Sequence, residues 1–263
     1  MQIYGKRFLL TGATGGIGQE LAKQLDMAGA ELILVGRNTQ ALYETSQRLN
    51  HATCIRADLA NEKNLSELAQ LLENEPLDGL INAAGLNQFS TLENTSADNI
   101  QAIVQTNLVG PIMLTQLLLP NLLKQPEALL LNIGSTFGSI GYAGYSAYCG
   151  SKFGLRGFTE SLRRELADTS IKVLYVAPRA TSTTMNSDAV QQMNRQLSVH
   201  EDGPELVAQT IINAIESERA STYLGWPEKF FARLNSILPS VVDKSLRKQL
   251  PTIKSYATRQ NPA

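Results

Sequence analysis

The sequence predicts an α/β fold in which a parallel sheet carries helices on both faces. Two observations lead to this prediction. Short apolar runs alternate with segments of helical periodicity along the chain, and a glycine-rich turn joins the first run to the first helical segment. Such alternation is typical of a parallel sheet with helical crossovers. With 263 residues, 43% of them hydrophobic, the chain is long enough for one large domain with an ample core.

Seven apolar segments are the predicted strands of this doubly wound sheet. They span residues 7–10, 31–35, 53–57, 77–82, 128–134, 171–177 and 221–225. Right-handed crossovers align the carboxyl ends of parallel strands along one edge of the sheet, where ligands bind. We therefore expect the functional residues to follow the strands rather than precede them.

The turn after the first strand has the composition of an anion-binding loop. It reads Thr-Gly-Ala-Thr-Gly-Gly-Ile-Gly from Thr11 to Gly18, and a helical pattern follows it. Glycine lets the backbone approach a diphosphate, and the N–H groups at a helix start point towards it. The spacing of Gly12, Gly16 and Gly18 differs from the common Gly-x-Gly-x-x-Gly pattern. A nucleotide site is the favoured interpretation, and a plain turn is the alternative.

The end of the second strand indicates which nucleotide such a site prefers. Chains that choose NAD usually carry an acidic residue here, which accepts hydrogen bonds from the ribose. This chain has Gly36, Arg37 and Asn38 instead. A guanidinium group forks onto a 2′-phosphate, so Arg37 favours NADP(H), with a solvated surface arginine as the alternative.

Tyr148 and Lys152 stand four residues apart in a segment with helical spacing. Positions i and i+4 lie on one face of a helix, so the two side chains can reach the same pocket. A phenol has a reference pKa of about 10, and a fixed cation nearby favours the phenolate and lowers that pKa. The pair therefore suits proton transfer, although its spacing alone also arises by chance.

Together these residues resemble the short-chain dehydrogenase/reductase family in its compact single-domain form, over roughly residues 5–225. The resemblance extends to further motifs in the family's order. These motifs are Asp58-Leu59, Asn82-Ala83-Ala84-Gly85, Asn107 and Ser135, which precedes Tyr148 by the usual interval. It implies a Rossmann-like fold and a small-molecule substrate whose carbonyl is reduced with NADPH, or whose alcohol is oxidised in the reverse direction.

The resemblance also implies a role for each catalytic residue. Tyr148 donates the proton to the developing alkoxide, and Ser135 orients the same oxygen. Lys152 binds the nicotinamide ribose and lowers the pKa of Tyr148. Asn107 holds a water behind Lys152 for proton relay.

The implied cofactor contacts run along the carboxyl edge of the sheet. They are Gly12, Thr14, Gly15, Gly16, Ile17, Gly18, Gly36, Arg37, Asn38, Asp58, Leu59, Asn82, Ala83, Ala84, Tyr148, Lys152, Pro178, Thr181 and Thr183. One residue departs from the family pattern, because Arg179 stands where the family has a glycine after Pro178. We expect this substitution to bring a cation close to the cofactor.

Two regions lie outside this pattern. Within the predicted catalytic domain, 1–225, the polar segment 184–204 is interpreted as a substrate lid, with an inert surface insertion as the alternative. The second region, 226–263, is a predicted amphipathic helical tail with seven Lys and Arg against two Asp and Glu. Packing of its apolar stripes on its own domain or another subunit is favoured over weak contact with an anionic membrane surface, because such stripes are usually core.

Composition and assembly complete the expectations. The balance of charge gives no sign of nucleic-acid binding, and the two cysteines and two histidines have no metal-ligand spacing, so no metal is expected. No signal peptide is recognised, and the apolar region 112–123 is too short to span a bilayer, which predicts a cytoplasmic protein. The resemblance implies a homodimer or homotetramer. The alternatives to this enzyme are a non-catalytic nucleotide sensor of the same fold and a membrane-docking reductase of lipid-derived ketones.

Overall fold

The computed structural model describes residues 1–226 and 228–257. Residues 227 and 258–263, which belong to the predicted tail, lie outside the described residues. The tail prediction is therefore assessed on 228–257 and on Trp226.

The described residues form one seven-stranded parallel sheet, which confirms the predicted fold class. Its strands are β1 (Arg7–Thr11), β2 (Glu31–Gly36), β3 (Ala52–Arg56), β4 (Gly79–Asn82), β5 (Ala128–Ile133), β6 (Ile171–Ala177) and β7 (Ser221–Tyr223). The last strand ends before the predicted Gly225, whose φ of +86° lies in the left-handed region and outside strand geometry.

Helices cover both faces of the sheet. They are α1 (Gly16–Met27), α2 (Thr39–Ser46), α3 (Glu62–Leu71), α4 (Ala97–Val104), α5 (Gly110–Leu123), α6 (Ser146–Glu165), α7 (Asp188–Gln196), α8 (Pro204–Glu216), α9 (Glu228–Ile237), α10 (Pro239–Arg247) and α11 (Leu250–Ala257). Buried side chains of α1 and α8 form the core on one face. Those of α3, α5 and α6 form the core on the other face.

The order of the strands determines where a ligand can bind. The sheet runs β3-β2-β1-β4-β5-β6-β7, so the winding direction reverses between β1 and β4. Helical connections leave the sheet on opposite sides at this point, which opens a crevice at the carboxyl ends of the two strands. The glycine turn follows β1 and the Asn82-Ala83-Ala84-Gly85 segment follows β4, so both line this crevice.

Helices α4 and α5 join through a π-helical turn, Gln105–Val109, into one helix from Ala97 to Leu123. With 27 residues and a mean hydropathy of 1.5 over an 18-residue stretch, this helix is long and apolar enough to span a bilayer by length and composition alone. The apolar region 112–123 is therefore the end of a longer helix than the sequence predicts, and Pro120 does not interrupt it. Leu114, Leu118 and Leu122 pack in the core against the sheet, as in the core helix of a globular protein.

The tail folds back over its own domain. Val242 and Ile253 are almost fully buried, and Ile253 packs with Phe89 and Tyr145. Hydrogen bonds tie the tail to the body: Tyr142 Oη donates to Gln249 Oε1 at 3.0 Å, and the amide of Asn235 donates to the carbonyl of Ser139 at 2.9 Å. The structure thus favours packing on the tail's own domain.

Part of the tail's apolar surface remains exposed. Trp226 is 73% exposed, and Ile237 is 76% exposed at the junction of α9 and α10. Phe230 and Val241 are also about half exposed. Weak membrane contact through this surface stays a prediction.

Candidate active site

The turn after β1 leaves no room for a side chain at two of its glycines. Gly12 has a φ of +66°, and a Cβ there would lie 2.6 Å from the Cα of Ala84. A Cβ on Gly18 would lie 2.1 Å from the carbonyl oxygen of Gly12. Gly15 is the N-cap of α1 and has no side chain to satisfy the first N–H groups of that helix. Backbone donors at this helix start therefore face the crevice, beside Thr14, Gly16 and Ile17.

Thr11 joins this turn to the loop after β4. Its hydroxyl oxygen accepts from the backbone N–H of Ala83 at 3.1 Å and of Ala84 at 3.2 Å. Asn82 behaves differently from the prediction, because it is buried and its amide donates to Asn132 Oδ1 at 2.9 Å. Its side chain supports the sheet, and the alanines that follow it line the crevice.

The adenine end of the crevice contains the predicted Gly36, Arg37, Asp58 and Leu59. Arg37 is exposed there, and its backbone carbonyl accepts from the guanidinium of Arg56 at 3.2 Å. Sequence reasoning missed Arg56, which ends β3 beside Gly36 in the sheet register.

Asn38 is engaged as a helix cap rather than in the crevice. Its side-chain oxygen accepts from the N–H of Ala41 at 3.1 Å, in the first turn of α2. An asparagine at this position satisfies an N–H that has no partner within the helix. The structure therefore supports a structural role for this predicted cofactor contact.

Tyr148 and Lys152 share one face of α6, as predicted, and the Nζ of Lys152 lies 5.8 Å from the centre of the Tyr148 ring. Lys152 is buried and donates to the carbonyl of Ile133 at 2.9 Å. Burial lowers the pKa of Lys152 to about 8. Burial raises the pKa of Tyr148 to about 12, and a hydrogen bond with Ser135 partly opposes this rise. The predicted lowering of the tyrosine pKa is absent here, since desolvation outweighs the distant ammonium.

Ser135 lies just beyond β5, where its backbone is held by a neighbouring strand. The hydroxyl of Tyr175 on β6 lies 3.4 Å from the carbonyl of Ser135 and 3.5 Å from its N–H. The serine hydroxyl itself accepts from the N–H of Phe137 at 3.1 Å. These contacts place Ser135 beside Tyr148 in the same cavity.

Asn107 is fully buried in the π-helical turn and clamps the loop after β4. Its Oδ1 accepts from the N–H of Leu86 at 2.7 Å, and its Nδ2 donates to the carbonyl of Leu86 at 2.8 Å and to Ser151 Oγ at 3.1 Å. A Cβ on Gly85 would lie 3.6 Å from Asn107 Oδ1 and 3.8 Å from Lys152 Nζ. Asn107 is thus close to Lys152, and its side chain positions the loop after β4.

The loop after β6 carries Pro178, Thr181 and Thr183 along the cavity. Thr183 packs over the glycine turn, because a Cβ on Gly16 would lie 2.8 Å from its methyl group. Thr181 is buried and pairs with Asp202 in an isolated parallel bridge. These contacts hold the predicted lid segment against the cofactor crevice.

Arg179 does not present a free cation to the cofactor. Its guanidinium forks onto Asp202 at 2.9 and 2.8 Å and reaches Glu228 of the tail at 3.2 Å. Asp202 is 3% exposed, so the fork is a largely desolvated ion pair. This network, Arg179-Asp202-Glu228, connects the loop after β6, the end of the lid and the tail.

The crevice opens beside Tyr148 into a cavity of ≈ 700 Å³. Its wall includes residues of the predicted lid, 184–204, together with the aromatic segment after β5 and the tail, which the sequence did not assign to a substrate cavity. The tail contributes Phe231, Val242, Ser245, Leu246 and Gln249. The predicted apolar stripes indicated that the tail packs on something, but their pattern did not show what lies beneath them.

The residues present fit a dinucleotide. The glycine turn can accept a diphosphate because side chains are excluded from Gly12 and Gly18. The neighbouring groove towards Arg37 extends to the adenine end, and Met185 of the lid borders both spaces. The larger space also reaches Ser135 and Tyr148.

Comparison with known proteins gives the same family. The family model described as short chain dehydrogenase matches residues 6–194. The chain is 31% identical to the ketoacyl reductase HetN of Nostoc sp., and the match covers 92% of this chain and 88% of that protein.

Solved structures show the same fold. A short chain dehydrogenase/reductase from Burkholderia phymatum in complex with NAD superposes with a TM-score of 0.82, at 21% identity, over 92% of this chain and 96% of the other. A short chain dehydrogenase from Burkholderia cenocepacia in complex with NADP gives a TM-score of 0.81 at 22% identity, over 94% and 99% of the two chains. With the family model spanning most of the sequence, this chain belongs to the short-chain dehydrogenase/reductase family of oxidoreductases.

Proposed function

We propose that this protein is an NADP(H)-dependent oxidoreductase that interconverts a carbonyl and an alcohol, with Tyr148 as the proton donor. The observation that carries the proposal is that Ser135 and Tyr148 line the cavity beside the glycine turn, with the Nζ of the buried Lys152 5.8 Å from the centre of the Tyr148 ring. A group of this kind can polarise a carbonyl and protonate it. The name of the Nostoc relative, a ketoacyl reductase, supports a carbonyl as the reacting group.

The chain's own residues provide position and a proton. A bound nicotinamide supplies the hydride. Tyr148, with a pKa raised to about 12, is fully protonated at neutral pH, which is the form that donates to a developing alkoxide. Ser135 hydrogen-bonds the tyrosine and is placed to orient the same substrate oxygen. Lys152 is mostly protonated at neutral pH, and its buried ammonium is the group that would donate to the ribose hydroxyls of a bound cofactor.

The preference for NADP(H) rests on the cations at the adenine end. Arg37 follows β2 directly. Arg56 ends the neighbouring strand β3, and its guanidinium donates to the carbonyl of Arg37. No acidic residue occupies 36–38. Two exposed guanidinium groups favour a 2′-phosphate over a ribose hydroxyl.

Steady-state turnover with NADPH and NADH on a panel of ketones and aldehydes tests the activity. We expect NADPH oxidation with at least one carbonyl compound and a higher kcat/KM for NADPH than for NADH. An enzyme that binds the nucleotide but turns over no member of the panel, in either direction, would contradict the proposal.

Removing Arg37 tests the cofactor assignment. Arg37→Ala should weaken NADPH binding by roughly 1.5–3 kcal/mol, the usual worth of charge-assisted hydrogen bonds, and leave NADH binding unchanged. Arg48→Ala, also exposed but outside the groove, is the matched control. Equal losses for both nucleotides, or no loss for NADPH, would exclude a 2′-phosphate contact.

A further inference from the structure

The part of the cavity that faces Tyr148 from the side opposite the glycine turn is mostly apolar. Most of its wall is formed by aromatic and aliphatic side chains from three segments, with neutral polar side chains such as Asn194, Ser245 and Gln249 among them. The aromatic and aliphatic residues are Phe137, Ile140, Tyr142 and Tyr145 after β5, Met185, Val190, Met193 and Val199 of the lid, and Phe231, Val242 and Leu246 of the tail. Apolar walls with a few convergent polar groups are typical of sites for apolar small molecules.

The aromatic side chains of this wall are packed against the proposed proton donor. The rings of Phe137 and Tyr142 stack with centroids 5.0 Å apart, and Phe137 meets Tyr148 edge-on at 6.4 Å. Tyr145 also contacts Phe137, at 5.3 Å. Burial raises the pKa of both Tyr142 and Tyr145, so these phenols stay neutral at physiological pH. The part of the wall beside Tyr148 therefore presents aromatic rings and neutral phenols.

The charged residues that line the described cavity are Arg179 and Glu228, and they neutralise each other. Their side chains lie 3.2 Å apart, and Arg179 is further held by Asp202. Away from the glycine turn, a carboxylate or phosphate in the cavity would lose its hydration and meet, among the described lining residues, no cation other than the paired Arg179, which is costly. The cavity thus disfavours anionic substrates.

We propose that the substrate is a neutral, predominantly apolar carbonyl compound or alcohol, and that Phe231 and Leu246 of the tail limit its size. This inference rests on the proposed function and specifies its substrate class. Both side chains are partly buried and border the cavity. Their neighbours Phe230 and Leu238 are about half exposed and lie outside its wall.

A matched pair of ketones tests the charge preference. One is methyl hexyl ketone, and the other is the keto acid in which its terminal methyl group is replaced by a carboxylate. With NADPH, kcat/KM for the neutral ketone should exceed that for the keto acid by at least about 10-fold. Equal rates, or a preference for the keto acid, would overturn the inference while leaving the oxidoreductase function intact.

Equilibrium binding keeps the inference testable if neither ketone reacts. Competition by the two ketones against a fluorescent naphthyl ketone, on the NADPH-loaded enzyme, ranks them without turnover. Tighter binding of the neutral ketone is the expected result, and tighter binding of the keto acid contradicts the inference. Absence of turnover with tight neutral binding would count against the proposed reaction alone.

Two tail substitutions test the size limit. Phe231→Ala should raise kcat/KM for methyl naphthyl ketone relative to acetone by about 10-fold, since a removed aromatic ring opens space beside the substrate. Leu246→Phe should lower the same ratio by a similar factor. Phe230→Ala and Leu238→Phe are the matched controls and should leave the ratio unchanged. If Phe231→Ala and Leu246→Phe shift the ratio no more than these controls do, Phe231 and Leu246 do not set the size limit.

Discussion

The cofactor crevice and the roof of the cavity meet at Tyr148 but are built in different ways. The crevice is shaped by backbone: a Cβ at Gly12 or Gly18 would collide with main-chain atoms of the same turn or of the loop after β4. Such contacts cannot relax by a change of rotamer. The geometry of the crevice therefore depends on the absence of side chains at a few positions.

The roof is shaped by side chains from segments far apart in the sequence. Tyr142 bonds to Gln249, 107 positions away, and Glu228 bonds to Arg179, 49 positions away. Side chains in such contacts can be exchanged for others of similar volume at modest cost. This fold thus keeps its cofactor crevice in backbone geometry and the roof of its cavity in replaceable side chains.

The largest predicted effect concerns Tyr148, which lies where the crevice and the cavity meet. Tyr148→Phe removes the proton donor and should lower kcat by about 10²–10⁴-fold, the usual contribution of a general acid. NADPH affinity should stay close to that of the wild type, because the phenol acts on the substrate. Tyr142→Phe, which loses a hydroxyl elsewhere in the same cavity, is the control and should retain turnover. Substantial turnover by Tyr148→Phe would refute its proton-donor role.

The next effect concerns Lys152, below the crevice. Its pKa is lowered from 10.5 to about 8, so between these pH values the unfolded chain holds the proton more strongly than the folded protein. The free energy of unfolding should therefore rise with pH in this window, and the buried ammonium costs about 3 kcal/mol at neutral pH.

Urea unfolding of the cofactor-free protein between pH 7 and pH 10 checks this slope. Lys152→Met lacks the buried ammonium, so its stability relative to the wild type should be greatest near neutral pH and decline above about pH 8. Lys248→Met controls for the loss of a surface lysine. A constant difference between wild type and Lys152→Met would show that burial does not perturb this lysine. Above pH 10, the raised pKa of Tyr148 makes the free energy of unfolding fall with pH, so the measurement stops at pH 10.

A smaller effect tests the rigidity of the crevice. Gly18→Ala places a methyl group 2.1 Å from the Gly12 carbonyl, and the turn must shift. NADPH affinity should fall by about 10–100-fold, corresponding to the usual cost of overpacking. Gly141→Ala, where a Cβ meets nothing within 4 Å, is the control and should bind NADPH normally. Unchanged affinity in Gly18→Ala would mean that the turn is as adaptable as the roof.

The smallest effect concerns helix α6, which holds Tyr148 and turns another face to solvent. Gly157 lies on that face beside Phe153, and a Cβ on Gly157 meets nothing within 4 Å. In a monomer, Gly157→Ala should stabilise the helix by about 0.5–1 kcal/mol. If the subunits of the expected homodimer or homotetramer pair through α6, as the family resemblance implies, the added methyl group would meet the partner and should weaken association.

Light scattering and thermal unfolding at two protein concentrations distinguish these outcomes. We expect a dimeric wild type and a Gly157→Ala protein that dissociates more readily. A monomeric wild type that Gly157→Ala stabilises would contradict pairing through this helix.

The sequence was sufficient to predict the elements that have a local signature. The alternation of strands and helices, the glycine turn and the i, i+4 pair of Tyr148 and Lys152 each depend on neighbouring residues, and the structure brings them together as expected. Ser135 joins them because parallel strands end at one edge of the sheet.

What the sequence did not predict depends on distant partners. Asn82 and Asn38 match positions expected to contact the cofactor, yet one bonds to Asn132 across the sheet and the other caps α2. The charge of Arg179 is balanced by Asp202 and Glu228, which no local pattern connects to it. Likewise, an apolar stripe shows that a surface is covered but does not identify what covers it.

The tail over the cavity has a consequence for the order of folding. The parallel sheet is complete at Tyr223, before any tail residue has been added. The hydrogen bond between Tyr142 and Gln249, which holds the tail over the cavity, joins residues 107 positions apart. A large loop must therefore close before this contact forms. We expect such long-range contacts to form late in folding. If helices α9 to α11 open by local unfolding, the cavity would lose its roof while the cofactor crevice, built on the sheet, keeps its shape.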